Sequence, residues 1–204
     1  MVITSCYLGS GMLEKLRLLN IRDSKTLDSK AIYYLANQIM KIVTFESVII
    51  NNRKYNQWIN EGYNANVIKA WGHNQVLVKM LQHKNHYEKI VIDQFVDQKL
   101  YYQYLTNMAA NKNRIVKDNV LFTIKAENKY LAVACSAIIS RYLFLEEIKK
   151  IATELKVAIP LGAGAEVDNF FIKNQSLFDK DIKKFLFRHT KYHFANTKKI
   201  LKKI

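Results

Sequence analysis

Three consecutive apolar residues, Ile90, Val91 and Ile92, lead into Asp93, Gln94 and Phe95. Lys89–Phe95 therefore reads as a buried strand, and a chain that buries a strand must build a sheet into its core. Further on, Lys125-Ala126-Glu127 opens a long helical stretch, Asn128–Lys150, at whose positive end an ionised acid is favoured. Two carboxylates thus stand at element ends. Carboxylate oxygens are the ligands that Mg²⁺ and Mn²⁺ prefer, and paired ions about 4 Å apart activate a water and stabilise the leaving oxygen of a phosphodiester. Acids in such places also cap helices or simply meet solvent, so the pair by itself leaves metal binding and capping both open.

The rest of the chain supplies the layers around that strand. Met1–Leu8 reads as an opening strand, and Gly9-Ser10-Gly11 turns into a short helix through Leu19. Asp28 is placed as an N-cap for a helix whose apolar face is Ile32, Leu35, Ile39 and Ile42. Val43–Ile50 is β-branched and strand-like, and Asn64 caps a further helix carrying Val67, Ala70, Leu77 and Leu81 toward the sheet. After Lys89–Phe95 come a tyrosine-rich helix, Gln98–Met108, and a strand, Val120–Ile124. The remainder reads as helical apart from a loop, Ala158–Ala165. Strands first and helices later, with mixed spacing, predict an α/β three-layer domain.

At 204 residues, 50% hydrophobic and 24% charged, the chain is sized for one domain with a full core, 1–204. One proline and six glycines leave little room for a linker. Cys6 and Cys135 lie in apolar stretches without ligand-like spacing, which predicts reduced core thiols in a cytoplasmic protein. The longest apolar run, Leu131 to Ile139, is far short of the roughly 20 residues that cross a bilayer, so no membrane partner is expected. Charge is the compositional anomaly. Of a net +15, more than half sits between Lys180 and Lys203, where nine basic residues face one acid, Asp181. Such a field attracts phosphate backbones in a salt-dependent way, although a solvated basic helix has the same composition.

Around the two acids stand further blocks: Asp23-Ser24-Lys25, Lys54-Tyr55-Asn56, Lys69-Ala70-Trp71-Gly72-His73-Asn74-Gln75, Leu131 to Tyr142, Pro160-Leu161-Gly162-Ala163-Gly164 with Val167-Asp168, and His193-Phe194-Ala195-Asn196-Thr197. In this order and spacing they resemble bacterial ribonuclease HIII, a type 2 ribonuclease H, from Met1 to about Ile200. The combination carries the resemblance, since no single block would.

The resemblance implies a ribonuclease H-like three-layer mixed sheet with a helical C-terminal part, acting as a monomer on RNA/DNA hybrids with Mg²⁺ or Mn²⁺. It makes Asp93 a shared metal ligand and Glu127 the fourth acid, both catalytic. It places Asp23, Ser24 and Lys25 near the nucleic acid, with helix capping as the alternative for Ser24 and a phosphate contact as the role of Lys25. Gly162 and Gly164 would offer backbone NH groups to phosphate. His193 would reach a phosphate or else pack with Phe194. For His73 a buried, satisfied ring is expected, and Asp168 is a matched acid not expected to be a ligand. The sequence also departs from the family: it lacks the Asp-Glu-Val-Gly motif of the first catalytic strand, which carries half of the metal-binding acids, and the amino-terminal substrate-binding domain. That departure implies a truncated, mis-started or decayed chain, with Met1 an internal methionine and hybrid cleavage impaired. Three readings share these residues: an RNA/DNA-hybrid endonuclease, a non-catalytic nucleic-acid-binding remnant, and a gene fragment.

Overall fold

The strand that opens the chain, β1 (Val2–Tyr7), pairs antiparallel with β2 (Thr44–Ile49), Val2 facing Ile49 and Tyr7 facing Thr44. Between them lie α1 (Ser10–Arg17) and α2 (Ser29–Met40). Then follow α3 (Asn52–Asn60), α4 (Ala65–His83), β3 (Ile90–Asp93), α5 (Gln98–Asn107) and β4 (Val120–Thr123). A one-turn 3₁₀ helix, Ala126–Asn128, leads to α6 (Leu131–Leu155), α7 (Ala165–Lys173), α8 (Ile182–His189) and α9 (Ala195–Lys203). This computed structural model describes residues 1–21, 27–84, 86–112, 114–162, 164–174, 176 and 181–203. The chain divides into two units, each treated by itself: a sheet unit, Val2–Ile49 with Asn64–Phe144, and a helical unit, Met1 with Ile50–Tyr63 and Leu145–Ile204.

In the sheet unit the strands form two pairs, β1–β2 antiparallel and β3–β4 parallel. α4 underlies both. It packs against β1 and β2, and its Ala70 joins Ile92 of β3 and Tyr101 and Leu105 of α5 in one buried cluster. Trp71, Leu77, Phe95 and Phe122 close around that cluster. Burying each large apolar side chain is worth about 1.5–3 kcal/mol, so this group dominates the local stability. Asn64 begins α4 as expected, its side chain accepting from the Asn66 and Val67 amides at 2.9 and 3.0 Å. Asp28 caps α2 in the same manner, accepting from Ala31 at 2.8 Å, and Ile32, Leu35 and Ile39 are all buried. Cys135 is buried and free, its thiol pushed up to about 12 chiefly by burial; burial also raises the Cys6 thiol.

The helical unit is held by Phe171, Leu186 and Ile200 from α7, α8 and α9, with Val167, Phe170, Ile182 and Leu201 packed around them. Two features differ from the sequence reading. Glu127 does not open the long helix: it sits on the separate 3₁₀ turn, and α6 begins only at Leu131. And α3 was not foreseen, although Asn51 caps it by accepting from the Lys54 amide at 2.8 Å and Tyr55 and Trp58 are buried along it.

Candidate functional site

Asp93 is the last residue of β3, opposite Thr123 at the end of the parallel strand β4, and the Gln94 amide donates to the Thr123 carbonyl at 3.0 Å. Beyond β4 the chain reverses at Lys125, whose φ of 54° and ψ of 45° lie in the left-handed region. A lysine there is strained by about 1 kcal/mol. The reversal brings the Ala126 amide within 2.9 Å of Asp93 Oδ1, to which it donates. Ala126 is fully buried, so the turn cannot lift off the strand end without opening a void. Glu127 is the next residue on this turn, which follows the C-terminal ends of two parallel strands, where α/β sheets collect their ligands. Both carboxylates are partly buried.

Positive charge stands close by. Phe95, two residues past Asp93, carries the Lys69 ammonium 4.4 Å from its ring centroid and the His73 imidazole stacked at 5.3 Å. Burial first, and the Lys69 charge second, hold His73 down to about 4. The ring is therefore neutral at physiological pH, and Lys69 is a cation at this corner, as is Lys129, whose Nζ donates to Thr123 Oγ1 at 3.3 Å. Asn74, next on α4, is fully buried; its Nδ2 donates to the Arg114 carbonyl at 3.0 Å and its Oδ1 accepts from the Val116 amide at 3.0 Å.

The chemistry of Asp93 and Glu127 suits one Mg²⁺ or Mn²⁺. Such an ion is commonly held by one or two carboxylates, with water and substrate phosphate completing its shell. Among the described residues no cluster of three or more His, Cys, Asp or Glu side chains is placed to hold a metal. A two-ion site would need further acids.

The other expected site residues fall elsewhere. Ser24 and Lys25, with Asp23, lie outside the described residues. Gly162 and Gly164 belong to the helical unit: Gly162 has φ +103°, where glycine alone is unstrained, and Gly164 is the N-cap of α7. The first turn of α7 carries Glu166 and Asp168, which already answer the helix dipole. Asp168 accepts from Asn196 Nδ2 at 3.0 Å, linking α7 to α9. His193 also lies in the helical unit, edge-on to Phe194 at 4.8 Å and stacked on Tyr55 at 5.7 Å. Its pKa is lowered by burial and then by the charges of Lys191 and Lys198.

Sequence reasoning named Asn56 within a block but gave it no role; it is 1% exposed and bonded three times, to Phe187 of α8 and to Thr190 and Tyr192 beyond it. An asparagine five residues after the asparagine N-cap of α3 gave no local signal of a partner more than 130 residues away.

A family model described as ribonuclease HII matches residues 1–197. Ribonuclease HIII of Geobacillus sp. strain WCH70 is 35% identical over 200 residues, covering 97% of this chain and 64% of its own length. Ribonuclease HIII of Bacillus cereus strain ATCC 14579 is 34% identical over 206 residues, covering 99% of this chain and 63% of its own length. The chain thus spans less than two thirds of these relatives. Among solved structures, Bst-RNase HIII in complex with Mn²⁺ superposes with a TM-score of 0.89 at 33% identity, covering 98% of this chain and 64% of that one. The ribonuclease H2 of Pyrococcus horikoshii OT3, at 16% identity and a TM-score of 0.68 over 100% of this chain and 98% of its own, shares the fold.

Proposed function

Because the chain belongs to the ribonuclease HII family and has its α/β ribonuclease H-like fold, we propose that it is an endonuclease that hydrolyses the RNA strand of RNA/DNA hybrids. The observation that supports this reading is the hydrogen bond from the Ala126 amide to Asp93 Oδ1, which ties the turn carrying Glu127 to the end of β3. Asp93 and Glu127 are the metal-holding residues, and a Mg²⁺ or Mn²⁺ ion between them supplies Lewis acidity for phosphodiester hydrolysis. The Mn²⁺ complex of Bst-RNase HIII supports that choice of ion. Asp93 keeps its second oxygen for the ligand while the amide bond fixes the carboxylate plane. Lys69, over Phe95, adds positive charge for the phosphate backbone. Ser24, Lys25, Gly162, Gly164 and His193 are assigned to nucleic-acid contact, and residues 1–204 act as one monomeric catalytic domain.

Two carboxylates do not cage a pair of ions against water. Since no third acid joins them among the described residues, we assign residues 1–204 alone little or no cleavage. The same observation favours a second reading, hybrid binding without hydrolysis. A cleavage assay of the 204-residue chain on an RNA/DNA hybrid, with Mg²⁺ and with Mn²⁺, tests the pair. Turnover abolished by Asp93→Asn overturns the assignment of little cleavage and the second reading with it, and binding without turnover upholds that assignment. Absence of both removes the nuclease proposal.

A further inference from the structure

The connection between α8 and α9 has no regular structure, yet it is tied down from two helices of the helical unit. Asn56 of α3 uses its amide on the last turn of α8 and on this connection, donating to the Phe187 and Thr190 carbonyls at 2.8 and 2.7 Å, while its Oδ1 accepts from the Tyr192 amide at 3.0 Å. One turn earlier, Asn52 Nδ2 donates to the His189 carbonyl at 2.7 Å. From α9, the buried Thr197 hydroxyl donates to the Lys191 carbonyl at 3.3 Å. Connecting loops rarely receive so many side-chain bonds, and a buried amide left unmade would be costly.

What this frame carries is Lys191. Its ammonium stands 5.1 Å from the ring centroids of both Tyr55 and Phe194. A lysine bordered by two aromatic faces on a fixed backbone has fewer conformers to lose when it meets an anion than the exposed Lys198 and Lys199 on α9. The stretch itself is basic: Lys198 joins Lys191 in acting on His193, and the one acid from Asp181 to Lys203 is Asp181.

We propose that Lys191 is the ordered phosphate contact of the helical unit, and that Asn56 is its positioning residue, acting through the backbone of residues 187–192. The ligand is the sugar-phosphate backbone of the hybrid, so the inference rests on the hybrid-binding reading above. Most of the basic residues near the C-terminus then form a diffuse field, and one of them makes a defined contact.

The test is hybrid affinity as a function of salt, measured on the full chain without cleavage. Lys191→Gln lowers affinity about five-fold at moderate salt, the equivalent of one immobilised side chain. It also makes the slope of log K against log salt shallower by about 0.9, one phosphate contact. Lys191→Arg keeps the slope, whereas Lys198→Gln and Lys199→Gln together cost less affinity than Lys191→Gln alone. Asn56→Ala weakens binding and leaves a subsequent Lys191→Gln nearly silent. Thr197→Val, which removes the hydroxyl bonds to the Lys191 carbonyl and to the Thr190 hydroxyl, gives a milder form of the same coupling if Asn56→Ala fails to fold. An unchanged slope in Lys191→Gln, with the parent chain binding normally, overturns this inference and leaves the hybrid-binding reading in place. Additive effects of the positioning variants and Lys191→Gln overturn the role of Asn56. No salt-dependent hybrid binding by the parent chain removes both.

Discussion

Asp93 accepts the Ala126 amide through Oδ1, and two substitutions separate this bond from the charge of the carboxylate. In Asp93→Asn a side-chain oxygen can still accept from the Ala126 amide, now at 2.9 Å, so the turn that carries Glu127 keeps its place while the charge is lost. In Asp93→Ala the partly buried amide loses its partner as well, at a cost of about 1–3 kcal/mol. Chemical denaturation should therefore show Asp93→Asn near the parent stability and Asp93→Ala lower; equal stabilities would mean that the bond does not hold the turn. His73 gives a second residue-scale prediction, with a definite sign. Its folded pKa is depressed to about 4 from an ordinary 6.5. Between those values the unfolded chain binds a proton that the folded chain does not, so stability is full above about 6.5 and falls as pH drops toward 4. The loss amounts to at most about 3 kcal/mol. Burial lowers His189 and His193 as well, adding to the loss in the same direction. His73→Gln should flatten this acid limb in urea titrations at pH 4 to 7, and an unchanged limb would assign it to the other histidines or to carboxylates. Lys69→Gln should raise the His73 pKa only in part, since burial is its larger cause; an NMR titration reads this directly.

At the scale of elements, α4 is the part on which the sheet unit depends. Asn74 ties it to the segment before β4, so Asn74→Ala leaves the Val116 amide and the Arg114 carbonyl without their partner. It should destabilise by roughly 2–4 kcal/mol, more than the approximately 1 kcal/mol expected of Asn64→Ala at the helix cap, and thermal melts compare the two. The helix was legible in the sequence through its cap, but its buried face was only partly so. Ala70 is buried as expected, yet Ile68, Val76 and Met80 are buried too, because strands and α5 surround α4 and no single apolar stripe marks its inner side. α2 has one covered side, and there the spacing of Ile32, Leu35 and Ile39 gave the right face. α3 escaped notice because Asn, Gln, Lys and Arg fill most of it, and its stability comes from a distant partner, α8. Of the candidate site, the position of Asp93 at the end of β3 was legible because an acid closing an apolar strand breaks the local pattern. Glu127 was put on the wrong element, since a 3₁₀ turn and the following helix share one composition and differ only by the break at Lys129 and Tyr130.

Across the whole molecule, the two strand pairs are the feature with the largest consequence for function. β1 is bonded to β2 and β3 to β4, and among the described residues no hydrogen-bonded strand joins the two pairs. Both pairs rest on α4, β1 and β2 directly and β3 through Ile92 against Ala70. Each pair therefore presents a strand with backbone groups open to a further partner, and open edges of this kind accept an extended segment. A strand bearing Asp-Glu-Val-Gly, fused ahead of Met1, should bond to β1 and β3 at once. Its two acids would then join Asp93 and Glu127, completing the four that a two-ion site requires. The expected result couples two measurements that are otherwise independent. The melting temperature rises by several degrees, and hybrid cleavage with Mg²⁺ or Mn²⁺ appears in the same protein. A control fusion with Asn-Gln-Val-Gly should keep the gain in stability and lose the cleavage, because amides pair with neighbouring strands as well as acids do but do not hold the ions. Within the active fusion, Asp93→Asn and Glu127→Gln should each abolish most turnover with hybrid affinity nearly unchanged. If stability rises without cleavage in the acidic fusion, the carboxylate assignment is wrong; if neither changes, the strand does not join the two sheets.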